Sequence, residues 1–318
     1  MTVTRKLTVA VLTYKRPERL RRGLSVIVEH VQALNMAGEL CVHADVLVID
    51  NDPAGSAQQV TEQRDPKLVH YVLEPEPGIS AGRNRALDEA SDADMLVFID
   101  DDEEPEGQWL YPLIKTWQET GAAAVMGRVV SVFEKEPGPW IRAGEFFVRR
   151  RMRTGTHIGV AAAGNLLLDV AQIRESGARF HRRFGLTGGE DTLFSRMLTR
   201  SGKQIVWCDE SVAEDFVPAD RINRKWVLAR AWSHGNSATL VELYLAENLL
   251  CSLALRIRMA ARGLLRIGGG SARFGYGLFG GSLRNQARGL RSAMRGAGML
   301  AGAMGVAYQE YSRKRKAA

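Results

Sequence analysis

Four apolar, β-branched segments separated by helix-like stretches dominate the first hundred residues. These segments are LTVAVLT (7–13), ADVLVID (44–50), KLVHYVLE (67–74) and DMLVFID (94–100). Runs this apolar are typical of strands that are buried on both faces. Between them, Pro17 suits the first turn of a helix that continues to Leu34, and residues 79–90 follow a helical pattern. The alternation predicts an α/β fold, with a mostly parallel open sheet flanked by helices.

Three of these predicted strands end on a polar side chain, namely Thr13, Asp50 and Asp100. Open α/β sheets bind their ligands just beyond the carboxyl ends of the strands. We therefore expect these three side chains to border a ligand site at one edge of the sheet.

The middle of the chain carries weaker patterns. Residues 122–133 and 160–169 are predicted strands, and residues 134–156, with prolines flanking Gly138, are predicted to form an irregular loop. Residues 190–202 are predicted to form a helix that a glycine ends. The strand pattern therefore continues well past residue 160.

After about residue 223 the strand pattern stops. Residues 226–266 and 283–309 are predicted helices, joined by the glycine-rich stretch 268–281. The sequence thus predicts a catalytic-sized α/β domain over residues 1–223 and a helical region over residues 224–318.

Charge is distributed unevenly between these two regions. Residues 224–318 contain 16 Lys and Arg but only 3 Asp and Glu, whereas residues 1–223 contain 27 basic and 33 acidic residues. A basic, amphipathic helical region favours contact with an anionic membrane surface, with packing on the protein itself as the alternative. A nucleic-acid partner is not expected, because the basic residues lack interleaved aromatics or a binding motif.

The same features bear on location. The longest uncharged run near the C-terminus, residues 296–309, is shorter than the roughly 20 apolar residues that a spanning helix needs. Near the N-terminus, the apolar run 7–12 is too short for a signal-peptide core. With a mean hydropathy of −0.16, the chain is expected to be cytoplasmic and peripheral on the inner face of the cell membrane.

Five consecutive acidic residues, 100–104, follow the strand that ends at Asp100. A run of acids is usually a solvated loop, and that interpretation stays open for Glu103 and Glu104. At the mouth of an α/β crevice, however, crowded carboxylates need a compensating cation. Hard oxygen ligands favour Mn²⁺ or Mg²⁺, which would bridge a diphosphate. We expect one or two carboxylates in the metal shell.

Four segments in order resemble the inverting family-2 glycosyltransferases, which have the GT-A nucleotide-diphospho-sugar transferase fold. They are VAVLTYKRPERL, VIDND, PGISAGRNRALDEA followed by MLVFIDDDEEP, and GGEDTLFSRMLTRSG. Within that family the chain is most similar to bacterial exopolysaccharide transferases of the succinoglycan-assembly type. The resemblance implies sugar transfer from a nucleotide-diphosphate sugar, expected to be a UDP-sugar, to a glycan or lipid-linked acceptor.

The resemblance also implies roles on the donor side. Asp102, the last residue of the DxD-type triplet, would be the principal metal ligand, and Asp100 and Asp101 would contact the donor ribose or supporting waters. The donor-contacting residues implied by the resemblance are Thr13, Tyr14, Arg16, Asp50, Arg83 and Asn84. Tyr14 has an alternative role as a half-buried aromatic, and Arg83 as a surface salt bridge.

On the acceptor side, the resemblance places the catalytic base at Asp191, with Glu190 supporting it. Acids at the start of a helix are also favoured by its dipole, and both interpretations can hold. Glu214 stands where many relatives have a histidine, so it is either a second metal ligand or part of a salt bridge. Gly164 and Asn165 match a turn near the donor sugar and acceptor. Trp140 either stacks on an acceptor ring or is buried.

Two other functions remain as alternatives. A nucleotidyltransferase also uses an acidic metal motif on an α/β sheet, but it would need a glycine-rich phosphate loop after the first strand, and TYKRPERL has no glycine. A non-catalytic, membrane-associated scaffold of a polysaccharide assembly complex would retain the fold without the chemistry. The presence of both Asp102 and Asp191 favours the enzyme.

Overall fold

The computed structural model describes residues 4–308 and divides into two compact units. Unit 1 comprises the described residues up to Val132, together with Arg149–Gly185 and Glu190–Phe216. Unit 2 comprises Phe133–Val148, Leu186–Gly189 and the described residues from Val217 onward. The division near residue 217 lies close to the boundary expected at residue 223, but unit 2 also takes two short segments from the middle of the chain.

Apart from the last residues of β6 and β8, unit 1 carries an eight-stranded sheet in the order β3-β2-β1-β4-β7-β6-β8-β5. The strands are β1 (Arg5–Thr13), β2 (Val42–Asp50), β3 (Val69–Leu73), β4 (Met95–Asp100), β5 (Glu103–Glu106), β6 (Ala124–Phe133), β7 (Leu166–Asp169) and β8 (Ile205–Val217). The first four are parallel, whereas β7 pairs antiparallel with β4 and β6, and β5 pairs antiparallel with β8. The sheet is therefore mixed, and its first four strands form a parallel half.

The register of the parallel half brings the expected polar residues to one edge. Thr13 lies opposite Asp50 in the β1–β2 pair, and Leu12 lies opposite Asp100 in the β1–β4 pair. The ends of these three strands are therefore neighbours, as the sequence predicts, and the loops that follow them share one side of the sheet.

Helices cover both faces of this sheet. They are α1 (Pro17–Ala37), α2 (Gln58–Glu62), α3 (Ile79–Glu89), α4 (Leu110–Thr120), α6 (Val170–Ser176) and α7 (Glu190–Arg200). Apolar residues of α1 and α4 form one buried cluster with the sheet, and those of α3, α6 and α7 form a second cluster. The result is a three-layer arrangement with a core on each side of the strands.

Several predicted boundaries differ from the structure. Strands β5 and β8 were not predicted, because acidic residues dominate β5 and interrupt β8 after its first four residues. The predicted strand 160–169 shortens to β7, since residues 161–165 form an irregular turn. Within the predicted loop 134–156, the PGPW sequence begins a short helix, α5 (Pro139–Gly144), with proline in its first turn.

Unit 2 contains the three long helices α8 (Arg224–Tyr244), α9 (Leu249–Phe279) and α10 (Leu283–Ala303). The expectation that residues 268–281 form a glycine-rich connection is wrong, because α9 continues through them to Phe279. Tight packing explains this result. Gly263, Gly270 and Gly277 are buried seven residues apart, and an added Cβ on each would lie within 3 Å of the α10 backbone.

No helix within residues 4–308 is both long enough and apolar enough to cross a membrane. Helix α9 has the length, at 31 residues, but arginines interrupt its apolar stretches.

The α9–α10 contact can be tested by adding one methyl group at two glycines of the same helix. A Cβ on Gly270 would lie 2.6 Å from the Ala293 backbone nitrogen, so Gly270→Ala should lower the free energy of unfolding by about 2 kcal/mol. Within residues 4–308, an added Cβ on Gly268 would have no atom within 4 Å apart from the backbone of its own helix, so Gly268→Ala should raise this free energy by about 0.5–1 kcal/mol. Denaturant unfolding of both variants checks this. Equal effects would contradict the packing.

Candidate active site

The acidic residues 100–104, which we call the acidic loop, begin at the end of β4. Hydrogen bonds from residues at the end of β1 and just after it hold them in place. Thr13 donates a hydrogen bond from Oγ1 to Asp101 Oδ2 at 2.8 Å, and Arg16 donates from Nη1 to Asp101 Oδ1 at 3.0 Å. Asp101 is buried. Its burial and the charge of Arg16 act on its pKa in opposite directions, with burial dominating and raising the pKa. Asp101 is thereby held in place by both partners.

Asp102 lies beside two arginines of the β1–α1 region. Arg16 Nη1 is 3.1 Å and Arg19 Nη1 is 3.5 Å from Asp102 Oδ2. Arg16 therefore bridges Asp101 and Asp102. Arg19 was not among the predicted site residues, and its spacing of three from Arg16 on the first turn of α1 is the signal that could have identified it.

Glu103 is not a solvated neighbour, as the sequence had left open, but a buried carboxylate at 5% exposure. Its Oε2 accepts a hydrogen bond from the Asp100 backbone nitrogen at 3.2 Å. An added Cβ on Gly164 would lie 2.5 Å from Glu103 Oε1. Gly164 therefore makes room for Glu103, which in turn holds the start of the acidic loop. Glu104 is exposed, as expected for a solvated acid.

The pairing of β5 with β8 shows that the side chains of Glu214 and Asp215 lie on opposite faces of β8. Glu103 lies opposite Asp215, and Glu104 lies opposite Glu214. Since side chains alternate across a strand, Glu214 contacts Glu104 and Glu106, and these acids contribute with burial to a raised pKa. Asp215 instead acts electrostatically on Asp100 and Glu103.

The structure therefore does not bring Glu214 to the Asp100–Asp102 group, where a second metal ligand would be needed. Asp215 is the β8 acid near that group, and it forms an ion pair with Arg149. The sequence did not identify Asp215, because alternation in β8 could be recognised only after its pairing with β5 was known.

Arg83 connects the acidic loop with helix α7. Its Nη1 lies 2.5 Å from Glu190 Oε1, and its Nη2 lies 3.8 Å from Asp100 Oδ1. Arg83 is buried at 4% exposure, so it is not the surface salt bridge that the sequence left open. A guanidinium contacting both the end of β4 and the start of α7 couples the two predicted carboxylate sites.

The neighbour of Arg83 holds this arrangement in place. Asn84 donates to the Phe180 carbonyl at 2.8 Å and accepts from the Phe180 nitrogen at 2.9 Å. The Phe180 ring lies beneath the Arg83 guanidinium, 5.4 Å from its centre. Asn84 therefore positions the support of Arg83, a role different from the predicted donor contact.

Glu190 and Asp191 begin α7 with different environments. Glu190 is buried, and its Oε2 has no hydrogen-bond partner within the described residues. Burial raises the pKa of Glu190 to about 7, although Arg83 acts in the opposite direction. Asp191 is half-buried and accepts from the Thr192 backbone nitrogen at 2.6 Å. The two adjacent carboxylates therefore have different surroundings.

Two of the residues predicted to contact the donor, Asp50 and Tyr14, lie at the end of β2 and just after β1. Asp50 is fully buried, and its oxygens accept from the Asp52 and Ala57 backbone nitrogens at 3.0 and 2.7 Å. It thus shapes the loop after β2. Tyr14 is half-buried, with the Lys15 ammonium 5.4 Å from its ring centre.

Asn165 is part of the interior. It is fully buried in a left-handed conformation, with φ of 52°. Its Oδ1 accepts from Trp109 Nε1 at 2.7 Å, and its Nδ2 donates to the Arg128 and Ser211 carbonyls. The side chain is occupied in joining α4, β6 and β8, so the structure does not present it to an acceptor.

Trp140 lies in unit 2 and is 5% exposed. Its ring stacks on Phe146 at 5.2 Å, and the Arg224 guanidinium lies 4.8 Å from the ring centre. The sequence left open whether Trp140 stacks on an acceptor ring or is buried, and in the structure it is buried.

The loop offers a donor set that fits a divalent cation. Asp100, Asp101 and Asp102 carry the hard carboxylate oxygens that such an ion prefers, and burial raises the pKa of Asp100, of Asp101 and of Glu103. A cation would relieve this crowding, as Arg16 already does in part. No three His, Cys, Asp or Glu side chains in the described chain are grouped to enclose a metal ion. Additional ligands would have to come from substrate and water.

Residues 8–175 match the family described as glycosyl transferase family 2. The succinoglycan biosynthesis protein ExoM of Rhizobium meliloti (strain 1021) is 32% identical over 237 residues, which cover 74% of each chain. The chain therefore belongs to glycosyltransferase family 2, and the protein is a glycosyltransferase.

Solved structures agree on the fold. The GalNAc-T7 structure with UDP, GalNAc and Mn²⁺ has a TM-score of 0.57 at 11% identity, over 77% of this chain and 49% of that chain. TarS of S. aureus has a TM-score of 0.53 at 15% identity, over 79% and 41%. The protein thus spans less than half of these two chains. The structure of TarS 1–349 with UDP has a TM-score of 0.53 at 13% identity, and the match covers 92% of this chain and 89% of that chain. The predicted GT-A fold is confirmed.

The raised pKa of Glu190 predicts how stability depends on pH. Between the ordinary value of 4.5 and about 7, the folded protein binds a proton that the unfolded chain has lost. The stabilisation from protonated Glu190 is complete below pH 4.5 and is lost as pH rises through 7. Between pH 5 and 8, the wild type should therefore lose about 2–3 kcal/mol relative to Glu190→Gln.

Chemical denaturation across this pH range measures the difference. Glu39→Gln, which changes an exposed glutamate between α1 and β2, is the matched control and should follow the wild type. Parallel profiles for the wild type and Glu190→Gln would show that Glu190 ionises normally.

Proposed function

We propose that the protein transfers a sugar from a nucleotide-diphosphate sugar, specifically a UDP-sugar, to a glycan or lipid-linked acceptor, with inversion at the anomeric carbon. Asp191 is the proposed base, and Asp102 is the proposed metal ligand. Support comes from the family and from the UDP and Mn²⁺ bound in structures of the same fold.

The observation that carries the proposal is the double contact of Arg83. Through Asp100 it contacts the loop proposed to hold the donor diphosphate, and through Glu190 it contacts the helix that bears the proposed base. Inverting transfer needs these two functions close together, with the base on the acceptor hydroxyl opposite the leaving nucleotide. The Arg83 guanidinium is buried, so it holds the acidic loop and helix α7 close together in a place that water does not reach.

In the proposed displacement, Asp191 accepts the proton of the acceptor hydroxyl while that oxygen bonds to the anomeric carbon. The bond from this carbon to the diphosphate breaks, and the nucleotide diphosphate leaves with its electron pair. Glu190 stays bound to Arg83, and its buried Oε2 can accept a hydrogen bond from a sugar hydroxyl. Such a bond would fix the sugar relative to Asp191.

A divalent ion, Mn²⁺ or Mg²⁺, held at Asp102 would neutralise charge on the departing diphosphate. The hydrogen bond from Thr13 to Asp101 orients this loop. Arg16 supplies a further positive charge beside Asp101 and Asp102. Glu214 is left out of the proposed shell because its contacts are Glu104 and Glu106.

Similarity to ExoM supports an acceptor in polysaccharide biosynthesis. Such acceptors are proposed to be lipid-linked, which places the enzyme at the inner face of the cell membrane, with the basic residues 224–318 against anionic lipid. Membership of glycosyltransferase family 2 supports neither the nucleotidyltransferase alternative nor the non-catalytic scaffold.

The test is nucleotide release by purified protein over a panel of nucleotide sugars with Mn²⁺, Mg²⁺ or a chelator. Wild-type turnover should require a UDP-sugar and a divalent ion. Asp191→Asn should lower kcat at least about 1000-fold, because the hydroxyl proton then has no acceptor.

Asp92→Asn is the matched control, since Asp92 is exposed and precedes β4 at the end of the strand away from Asp100. It should retain full activity. Turnover that survives the chelator would refute the metal assignment, and unchanged kcat in Asp191→Asn would refute the proposed base.

A further inference from the structure

Helix α9 exposes large apolar side chains along one side. Leu250, Leu253, Ile257, Leu264 and Leu265 are exposed to 79%, 56%, 64%, 57% and 76%. Steps of three, four and seven residues, with one adjacent pair, place them within about a third of the helix circumference. We call these five residues the α9 apolar stripe.

The packing of α9 explains why the stripe faces outward. Gly263, Gly270 and Gly277 form the side that contacts α10, where their lack of a Cβ lets the two backbones approach. Among the described residues of unit 2, no helix covers the leucines on the other side of α9, which are exposed. A contiguous exposed apolar strip of this kind marks a contact surface for another molecule.

Charge along α9 itself is entirely positive. Arg258, Arg262 and Arg266 follow each other at intervals of four along one border of the stripe, and all three are exposed. Residues 248–308 contain nine arginines and no acidic residue. The partner must therefore offer an apolar layer and negative charge side by side.

We propose that the α9 apolar stripe inserts into the surface of an anionic lipid bilayer, with Arg258, Arg262 and Arg266 on the lipid phosphates. This specifies the membrane attachment proposed above. A second copy of the chain fits less well, because two such surfaces would bring their arginines together. The following residues 309–318, QEYSRKRKAA, are too polar to cover a leucine stripe.

The helix has the dimensions for this binding mode. Its 31 residues extend about 46 Å, but they do not form a membrane-crossing segment. A helix with apolar side chains on one side and arginines alongside lies in the plane of the interface, with its apolar side chains below the headgroups.

Co-sedimentation with phosphatidylglycerol and phosphatidylcholine vesicles tests the proposal on the full chain. The wild type should bind the phosphatidylglycerol vesicles strongly and the phosphatidylcholine vesicles weakly. The variant with Leu253→Gln, Ile257→Gln and Leu264→Gln should bind phosphatidylglycerol at least about 100-fold more weakly. Changing Arg258, Arg262 and Arg266 to Gln should also weaken binding about 100-fold.

Met36→Gln is the matched control, because Met36 is exposed to 83% on α1 of unit 1. It should bind vesicles like the wild type. All three variants should keep wild-type nucleotide release in detergent-free buffer, which separates membrane binding from the proposed catalysis.

The proposal is overturned if the wild type does not bind phosphatidylglycerol vesicles, binds both lipids equally, or binds equally with and without the stripe leucines. Light scattering gives a further readout. A wild-type dimer that the leucine substitutions convert to a monomer, without loss of vesicle binding, would assign the stripe to a second copy of the chain.

Discussion

The ion pair between Arg83 and Glu190 is the interaction on which the site depends. Both side chains are about 95% buried, so removing one partner would leave an uncompensated charge in the interior. The pair fixes α7 against α3 and keeps Arg83 beside Asp100. Asn84 and Phe180 support the guanidinium from below, which is why a buried charge can be held at this position.

Around this pair, carboxylates outnumber the cations that face them. Asp100, Asp101, Asp102, Glu103 and Asp215 interact with one another, and burial raises the pKa of several of them. Each has a local partner, in Arg83, Thr13, Arg16, Arg19, Arg149 or the Asp100 backbone nitrogen. This preorganised excess of negative charge is what a donor complex carrying a divalent cation would neutralise.

Strand ends and periodicity predicted the parallel half of the sheet, and the register confirmed the meeting of Thr13, Asp50 and Asp100. Strand pairing and side-chain hydrogen bonds between segments distant in sequence could not be predicted from periodicity. Asp215 became recognisable only from the pairing of β8 with β5, and Asn165 from its bonds to three elements. Glycine usually ends helices, so helix α9 was predicted to stop early. Only the backbone contact with α10 explains why glycine continues it.

A double-mutant cycle on Arg83 and Glu190, measured as kcat/KM for nucleotide release, tests the central claim directly. If the pair joins the acidic loop to the base helix, Arg83→Met and Glu190→Gln should each lower kcat/KM about 100-fold, and the double variant should be no worse than the poorer single variant. Losses that multiply to about 10,000-fold would show that the two residues act independently and would contradict the account.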